Sequence, residues 1–325
     1  MFARHVLMSS LKNEGPFILE WVAHHRVLGF DAIYVASNDC SDGSDALLAA
    51  LDRAGIIGHV PNEVAPGVIP QHAGYDRIRA THPIDRADWL MMLDTDEFLN
   101  IHIGQHRVQD LTMRAGAADI IAVSARSFSD LPQTHWEPGP VTRAFPMALR
   151  PHHRANQSVK TLTRDPARFR GIHNHHMVGY RGKASLQVFC AQDASTYPLE
   201  PGTPLGDKFR HIPKDQVGYD LAQYNHYPIK TLDSYLLRQA RGRGAAAKSD
   251  AENNRHTMEY FTLRAGRGQP EHSIRRYDPQ VETLLADLLA DPQIAAAHHA
   301  CEMAHAAAIR DHVARMEETE MDPHP

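Results

Sequence analysis

The chain has 325 residues, 42% of them hydrophobic and 22% charged, a balance that excludes an intrinsically disordered protein. Its formal net charge of -5 and its lack of a basic block exclude the electrostatic pattern of a nucleic-acid-binding protein. Three widely separated cysteines exclude a disulfide framework, and no apolar run is long enough for a signal peptide or a membrane span. We therefore expect a cytoplasmic protein, and the sequence leaves peripheral membrane association open.

The first hundred residues alternate strand and helix signals. Short apolar runs predict four buried strands, at residues 5–11, 32–37, 56–60 and 89–93. Apolar residues at helical spacing lie between these runs, and the β-α-β units that result predict a parallel sheet covered on both faces. We predict an α/β fold in which a mostly parallel, Rossmann-like sheet is flanked by helices.

The rest of the chain divides into three parts. A fifth strand is predicted at 120–124, whereas the loop-rich segment 127–213 gives no topology. Residues 235–240 and 281–317 are helical in pattern, with an apolar stripe of Leu284, Leu285, Leu288 and Leu289. We predict a catalytic domain over 1–230, a C-terminal helical extension over 231–317 and a disordered tail over 318–325.

Polar side chains follow three of the predicted strands. They are Asn13 and Glu14, the run 38–42, and the run 94–97. Because ligands of such sheets bind at the carboxyl ends of the strands, we expect these groups to gather at one edge.

The run Asp94-Thr95-Asp96-Glu97 carries three carboxylates directly after a buried strand. Mutual repulsion disfavours this cluster unless a cation offsets it, and carboxylate oxygens suit Mg²⁺ or Mn²⁺. An isolated D-x-D is also typical of a solvated acidic turn, but its position at a strand end favours a metal site.

The other candidates have two interpretations each. Asn38 and Asp42 could contact a ribose, or simply form a turn and helix cap. His226 could complete a metal shell or be a packed structural histidine, and the run 173–176 offers further imidazoles. His298, His299, Cys301 and His305 lack the spacing of a zinc site, so we assign them to a helix surface. Neither a G-x-G-x-x-G motif nor a P-loop is present.

An ordered set of motifs resembles glycosyltransferase family 2, in the branch that is similar to the family 92 and DUF23-like enzymes of GT-A fold. The motifs are Lys12-Asn13-Glu14, Glu20-Trp21-x-x-x-His25, Gly29-Phe30, Asn38-Asp39-x-Ser41-Asp42-Gly43, Gln71 with Tyr75, Trp89 through Phe98, Gly139-Pro140-Val141, Lys160, Asn225-His226-Tyr227, Ser234-Tyr235 and Arg241-Gly242.

The resemblance implies an enzyme that moves a sugar from a nucleotide-sugar donor, expected to be a UDP-sugar, to a hydroxyl of a sugar or glycolipid acceptor. It implies inversion, a role in cell-surface polysaccharide or glycoconjugate synthesis, and a Mn²⁺ or Mg²⁺ ion held by Asp94, Asp96 and His226. The residues that it places at the nucleotide-sugar are Asn13, Glu14, Asn38, Asp42, Gln71, Asp94 and Lys160.

The chain departs from the family after the fifth strand, where Ala125 to Asp130 replaces the usual Trp and Phe-Gly. Asp130 is our candidate for the base that accepts the proton of the acceptor hydroxyl. Two alternatives stay open: a sugar-phosphate nucleotidyltransferase, which would need a Gly-rich basic loop after the first strand, and a catalytically inactive nucleotide-sugar-binding module.

Overall fold

The computed structural model describes residues 4–241 and 256–321. The helices in these ranges are α1 Gly15–Val27, α2 Ser44–Arg53, α3 Pro70–Thr81, α4 Val108–Ala115, α5 Val141–Ala144, α6 Leu205–Phe209, α7 Leu232–Arg241, α8 Met258–Thr262, α9 Asp278–Leu289 and α10 Pro292–Met321. The strands are β1 His5–Leu11, β2 Ala32–Ser37, β3 Gly58–Pro61, β4 Trp89–Met92, β5 Glu97–Ile101, β6 Ile120–Ser127, β7 Met147–Ala148, β8 Val159–Arg164, β9 Phe169–Ile172, β10 Met177–Tyr180, β11 Leu186–Cys190, β12 Thr196–Leu199, β13 Ala222–His226 and β14 Gln269–Pro270.

Ten of these strands form one central sheet. Its main path runs in the order β12-β11-β6-β8-β4-β1-β2-β3, and β13 pairs with both β5 and β6. The pairings among β1, β2, β3 and β4 are all parallel. β8 lies antiparallel between β4 and β6, so β6 again runs in the direction of β4. The carboxyl ends of β1, β2, β4 and β6 therefore share one edge, and the predicted α/β class is confirmed.

Helices cover both faces of this sheet. Alternate residues of β1 point to opposite sides, so that Leu7 belongs to one apolar cluster and Met8 to the other. The first cluster includes the buried faces of α1, α2, α4 and α9, whereas the second receives Tyr75 and Ile78 of α3. Burial on both sides explains why the strand sequences are continuously apolar.

Helix α1 fixes the strand that follows the acidic run. The indole nitrogen of Trp21 donates to the carbonyl of Glu97 at 3.0 Å, and Nε2 of His24 lies 2.7 Å from the carbonyl of Leu99. The backbone N–H of Leu99 donates to Nε2 of His25 at 3.3 Å. Burial lowers the pKa of His24 to about 4, so this ring is neutral at pH 7. The side chains of Trp21, His24 and His25 thus attach β5 to α1 by hydrogen bonds.

A second pair of predicted motifs meets at Glu20. Its carboxylate accepts hydrogen bonds from the backbone N–H of Val141 at 2.6 Å and of Thr142 at 3.1 Å. The Thr142 hydroxyl also donates to it, at 2.6 Å. Burial raises the pKa of Glu20, which these donors oppose. Glu20 therefore ties α1 to the start of α5 and explains why Gly139-Pro140-Val141 accompanies it.

The C-terminal helices pack on the sheet domain and correct two sequence assignments. Cys301 is fully buried, and a Cβ placed on Gly15 would come within 2.6 Å of its sulfur. His305 is buried too, with Nε2 at 3.0 Å from the Ser234 hydroxyl. For these two residues the assignment to a helix surface is wrong, because they lie on the buried side of α10, which packs on α1, α2 and α7, whereas the side chain of His299 is exposed as expected.

The apolar stripe of α9 also differs from the prediction. Leu288 is buried and Leu284 and Leu285 pack partly buried on the first apolar cluster, whereas Leu289 is 40% exposed. The helix α10 continues to Met321, while Gly242 of the family motif and residues 322–325 of the predicted tail lie outside the described residues. None of the helices in the described ranges is both long enough and apolar enough to cross a bilayer.

Candidate functional site

The acidic run forms a tight turn between β4 and β5. The backbone N–H of Glu97 donates to the carbonyl of Asp94, and the N–H of Asp94 donates to Oε2 of Glu97, both at 2.9 Å. Asp96 and Glu97 are each 3% exposed, whereas the side chain of Asp94 is 29% exposed. The turn therefore buries two of its three carboxylates, which a solvated acidic turn would not do.

Lys160 of β8 neutralises one side of this turn. Its ammonium lies 2.8 Å from the carboxylate of Glu97 and 3.5 Å from that of Asp94, and it donates to the carbonyl of Asn174 at 2.8 Å. The side chain is completely buried. Burial raises the pKa of Glu97 to about 8, with Asp94 and Asp96 adding to the rise and Lys160 opposing it.

Asp94 is also held from α3. The side-chain amide of Gln71 donates to Oδ1 of Asp94 at 2.7 Å and to the Tyr75 hydroxyl at 3.3 Å. The structure thus brings together Gln71, Asp94 and Lys160, three residues predicted for the nucleotide-sugar site. Their mutual bonds orient the Asp94 carboxylate.

Asp96 faces a different set of groups. The guanidinium of Arg238, on α7, hydrogen-bonds to its Oδ2, and Nε2 of His226 lies 3.7 Å from the same oxygen. Burial raises the pKa of Asp96, but Arg238 and then His226 outweigh that effect and hold it well below its usual value. The other oxygen, Oδ1, is buried with no hydrogen-bond partner among the described residues. Asp96 is therefore ionised and has one oxygen available to a ligand.

Asp96, Glu97 and His226 form a cluster that suits a metal ion. One ligand atom from each lies within 4.8 Å of the others. The closeness follows from strand register, because β13 pairs with β5 so that His226 lies opposite Glu97. Two carboxylates and an imidazole are ligands that Mn²⁺ and Mg²⁺ accept, and the unpartnered Oδ1 of Asp96 fits such an ion. Burial lowers the pKa of His226, which favours its neutral, ligating form.

A cavity of about 220 Å³ is linked to this cluster by Arg238, which lines the cavity and hydrogen-bonds to Asp96, whereas Asp96, Glu97 and His226 are not among its described lining residues. Its floor is formed by the loop after β1 and by the chain after β13, including Glu14, Lys230 and Arg238. Ala304, His305 and Ala308 of α10 form its roof. The ammonium of Lys230 lies 4.0 Å from the Glu14 carboxylate and 4.2 Å from the centre of the Phe17 ring. The cavity lining therefore carries charge of both signs, with Lys230 and Arg238 as its cations and Glu14 and Asp42 as its carboxylates.

The loops after β1 and β2 are bonded to each other. Asn13 has a left-handed backbone, accepts from the N–H of Ser41 at 2.8 Å and donates to the Ser41 hydroxyl at 3.0 Å. The carboxylate of Asp42 accepts from the N–H of Gly15 at 2.9 Å and of Ser44 at 3.0 Å. Asn38 is buried, and its side-chain amide donates to Asp39 at 3.3 Å. Asn13 and Asp42 line the cavity, while also holding the two loops together.

Asp130 lies just beyond β6. Its Oδ1 accepts a hydrogen bond from the backbone N–H of Gly266 at 2.7 Å. The end of β6 is joined to the site by the ring of Phe128, which stacks on Tyr227 with centroids 4.6 Å apart. The role of Asp130 as a base stays a prediction.

The sequence did not predict the role of Arg238 or that of the Asn174 carbonyl. Arg238 lies in a helix whose pattern marks only an amphipathic surface, so its pairing with Asp96 had no local signal. The run His173 to His176 was a ligand candidate, but its backbone instead supplies the Asn174 carbonyl for Lys160, and Nδ1 of His175 lies 2.8 Å from the carbonyl of Val159.

Comparison with known proteins gives a relationship at low identity. The chain is 23% identical over 174 residues to a glycosyltransferase family 92 protein of Ricinus communis, which covers 53% of this chain and 31% of that protein. A family 92 protein of Oryza sativa subsp. japonica is 23% identical over 170 residues, or 51% of this chain and 28% of the relative. This chain is similar to glycosyltransferase family 92 proteins. The matches to these relatives span less than a third of their length, and membership of family 2 is not confirmed.

No protein-family model matches the chain. Among solved structures it is similar to S. aureus TarS in complex with UDP, with a TM-score of 0.34 and 10% identity over 50% of this chain and 47% of that one. A structure of LgtC gives a TM-score of 0.25 and 14% identity over 36% of this chain and 45% of the other.

Proposed function

We propose that this chain is a glycosyltransferase of GT-A fold that transfers a sugar from a nucleotide-sugar donor to an acceptor hydroxyl. The observation that carries the proposal is the cluster of Asp96, Glu97 and His226, which Arg238 links to a cavity that Lys230 also lines. The similarity to glycosyltransferase family 92 proteins supports it. A UDP-sugar is the donor that we expect, as in the prediction from sequence.

Each group has a role that follows from its contacts. Asp96, Glu97 and His226 would hold Mn²⁺ or Mg²⁺, with Glu97 in the place that the prediction from sequence gave to Asp94. When bound, the ion would offset the negative charge that develops on the leaving diphosphate. Lys160 holds the Glu97 carboxylate by an ion pair, and Gln71 holds the Asp94 carboxylate by a hydrogen bond. Lys230 and Arg238 supply positive charge at the cavity. Asp130 is our candidate for the group that accepts the acceptor's proton, for which it needs one free carboxylate oxygen.

The test is a nucleotide screen with a turnover assay. UDP, GDP and dTDP are titrated calorimetrically with Mn²⁺ and, separately, with EDTA, and the corresponding nucleotide sugars are then assayed for release of the nucleoside diphosphate. We expect one diphosphate, UDP first, to bind strongly only with Mn²⁺, and its sugar donor to be turned over.

The outcomes separate the three functions considered. Release of pyrophosphate from a nucleoside triphosphate and a sugar phosphate would instead identify a nucleotidyltransferase. Binding of a donor that is never turned over, with any of a panel of sugar and glycolipid acceptors, would identify an inactive binding module. Failure of every nucleotide to bind would contradict the proposal altogether.

A further inference from the structure

The charges around the acidic turn are nearly balanced by the protein's own cations. Three carboxylates face two buried or nearly buried cations, with Lys160 beside Asp94 and Glu97, and Arg238 beside Asp96. A buried carboxylate without a counter-ion is costly, so Arg238 stabilises the turn when no other cation is present. It does so at the same carboxylate that belongs to the candidate metal cluster.

Arg238 also lines the cavity in which the donor would bind. Its Nη1 is shared between Asp96 and the carbonyl of Pro228, the latter at 3.0 Å. Its Nε is buried and lacks a hydrogen-bond partner among the described residues. A guanidinium has five N–H donors in a planar fork that matches phosphate oxygens, and this one has donor capacity left over.

We propose that Arg238 is an exchangeable counter-ion, which binds Asp96 in the unliganded protein and turns to the diphosphate of the donor when a divalent cation and the nucleotide are both present. This inference rests on the proposed function and adds to it a residue that binds substrate. Lys230 also lines the cavity and would meet the same diphosphate.

The exchange follows from electrostatics. A divalent cation at Asp96 and Glu97 repels the nearby guanidinium of Arg238 and offsets the negative charge that attracts it to Asp96. A diphosphate brings negative charge and several acceptor oxygens into the cavity that Arg238 already lines. Arg238 therefore opposes cation binding when no nucleotide is present, and it favours nucleotide binding once the cation is bound.

Two opposite effects in one variant test the proposal. In Arg238→Gln, Mn²⁺ measured alone by calorimetry should bind several-fold more tightly than in the wild type, because Asp96 has lost its competitor. In saturating Mn²⁺ the same variant should bind UDP, and inorganic pyrophosphate, roughly tenfold or more weakly, since charge-assisted hydrogen bonds are lost. In both measurements the affinity of Arg238→Lys should lie between that of the wild type and that of Arg238→Gln.

A matched control is Arg168→Gln, which removes an Arg whose carboxylate partner is Asp119, away from the site. It should change neither affinity. A purely structural Arg238 would lower the melting temperature and weaken both Mn²⁺ and UDP binding in parallel, and that result, or unchanged affinities, would overturn the inference. If the wild type binds pyrophosphate with Mn²⁺ but binds no nucleotide, the proposed function is contradicted. The role of Arg238 is then decided by the pyrophosphate affinities of the wild type and the variants.

Discussion

Two acidic turns at the same edge of the sheet use their carboxylates in opposite ways. In the turn after β2, both oxygens of Asp42 accept hydrogen bonds from backbone N–H groups, of Gly15 and Ser44. In the turn after β4, Asp96 and Glu97 face Arg238, Lys160 and each other's charge, and Oδ1 of Asp96 has no partner in the described part of the chain. In the first turn both carboxylate oxygens of Asp42 are used in hydrogen bonds to the loops, whereas in the second turn one oxygen of Asp96 is available to a ligand.

The difference shows what separates a structural acidic turn from a binding one. Both follow buried strands and both read as clusters of acidic and small polar residues. Backbone donors can satisfy a carboxylate only where a segment of chain lies against it, as the loop after β1 lies against the loop after β2. The β4–β5 turn lacks such donors for Asp96, so distant cationic side chains and a histidine surround it instead.

The largest expected effect is on the turn after β4. Asp96→Asn should weaken Mn²⁺-dependent binding of UDP on the order of a hundredfold or more, because a ligand to the cation loses its charge. The variant also leaves Arg238 without its carboxylate, so we expect a lower melting temperature. Calorimetry below that temperature measures the affinity. Undiminished binding would place the cation elsewhere and remove the contrast between the two turns.

Lys160→Met tests the charge balance beneath the same turn. Above pH 8, where Glu97 is ionised, the substitution leaves this carboxylate buried without its cation, which should lower the free energy of unfolding by about 3 kcal/mol. Urea denaturation provides the measurement. Lys183→Met, at an exposed position, is the control and should be nearly neutral. Equal stability of the two variants would mean that Lys160 does not offset the carboxylates.

Asp42→Ala is the corresponding change in the structural turn. We expect a loss of about 1–2 kcal/mol in the free energy of unfolding, because the N–H groups of Gly15 and Ser44 lose their acceptor. The affinity for UDP with Mn²⁺ should change by only a few-fold. A loss of affinity as large as that of Asp96→Asn, at unchanged stability, would make Asp42 a direct ligand contact and erase the distinction.

The smallest effect concerns pH. The folded-state pKa of Glu97 is raised to about 8 from an ordinary 4.5, so the folded protein holds a proton that the unfolded chain has lost. Its stabilising contribution is complete below pH 4.5 and is lost as the pH rises through 8. Between pH 6.5 and 8, above the ordinary pKa of histidine, the metal-free wild type should lose melting temperature relative to Glu97→Gln. Parallel curves for the two proteins would contradict the raised pKa.

The parallel half of the fold was predictable because its signals are local. The apolar runs of β1, β2 and β4 mark strands buried on both faces, and the prediction of β2 at 32–37 agrees with the structure residue for residue. The segment 127–213 was not, since β8 carries lysine, threonine and arginine in a central strand. The Lys160 ammonium, for example, is paired with Glu97 of β5, which is distant in sequence, and no local pattern encodes that pairing.

The candidate site divides in the same way. Asp94 and Asp96 stand in the local pattern that follows β4, and His226 stands in a motif of the resembling family. Arg238 joins them only through the packing of α7 against the turn, so no local pattern in the sequence identifies it as a site residue. Glu97 was visible as a carboxylate, but its position opposite His226 depends on the register of β13 and β5.

The roof made by α10 has a consequence for how the protein comes into being on the ribosome. The hydrogen bond between Arg53 and Gln293 joins residues 240 positions apart, and the cavity needs Ala304, His305 and Ala308 for closure. The β1–β4 units leave the ribosome long before these residues and can fold first, as N-terminal units do during synthesis. The buried side of α1 and α2 that receives α10 is then exposed until α10 has itself left the ribosome. We expect a nascent chain stalled before α10 to carry a folded sheet that chaperones still recognise and that holds no closed donor cavity.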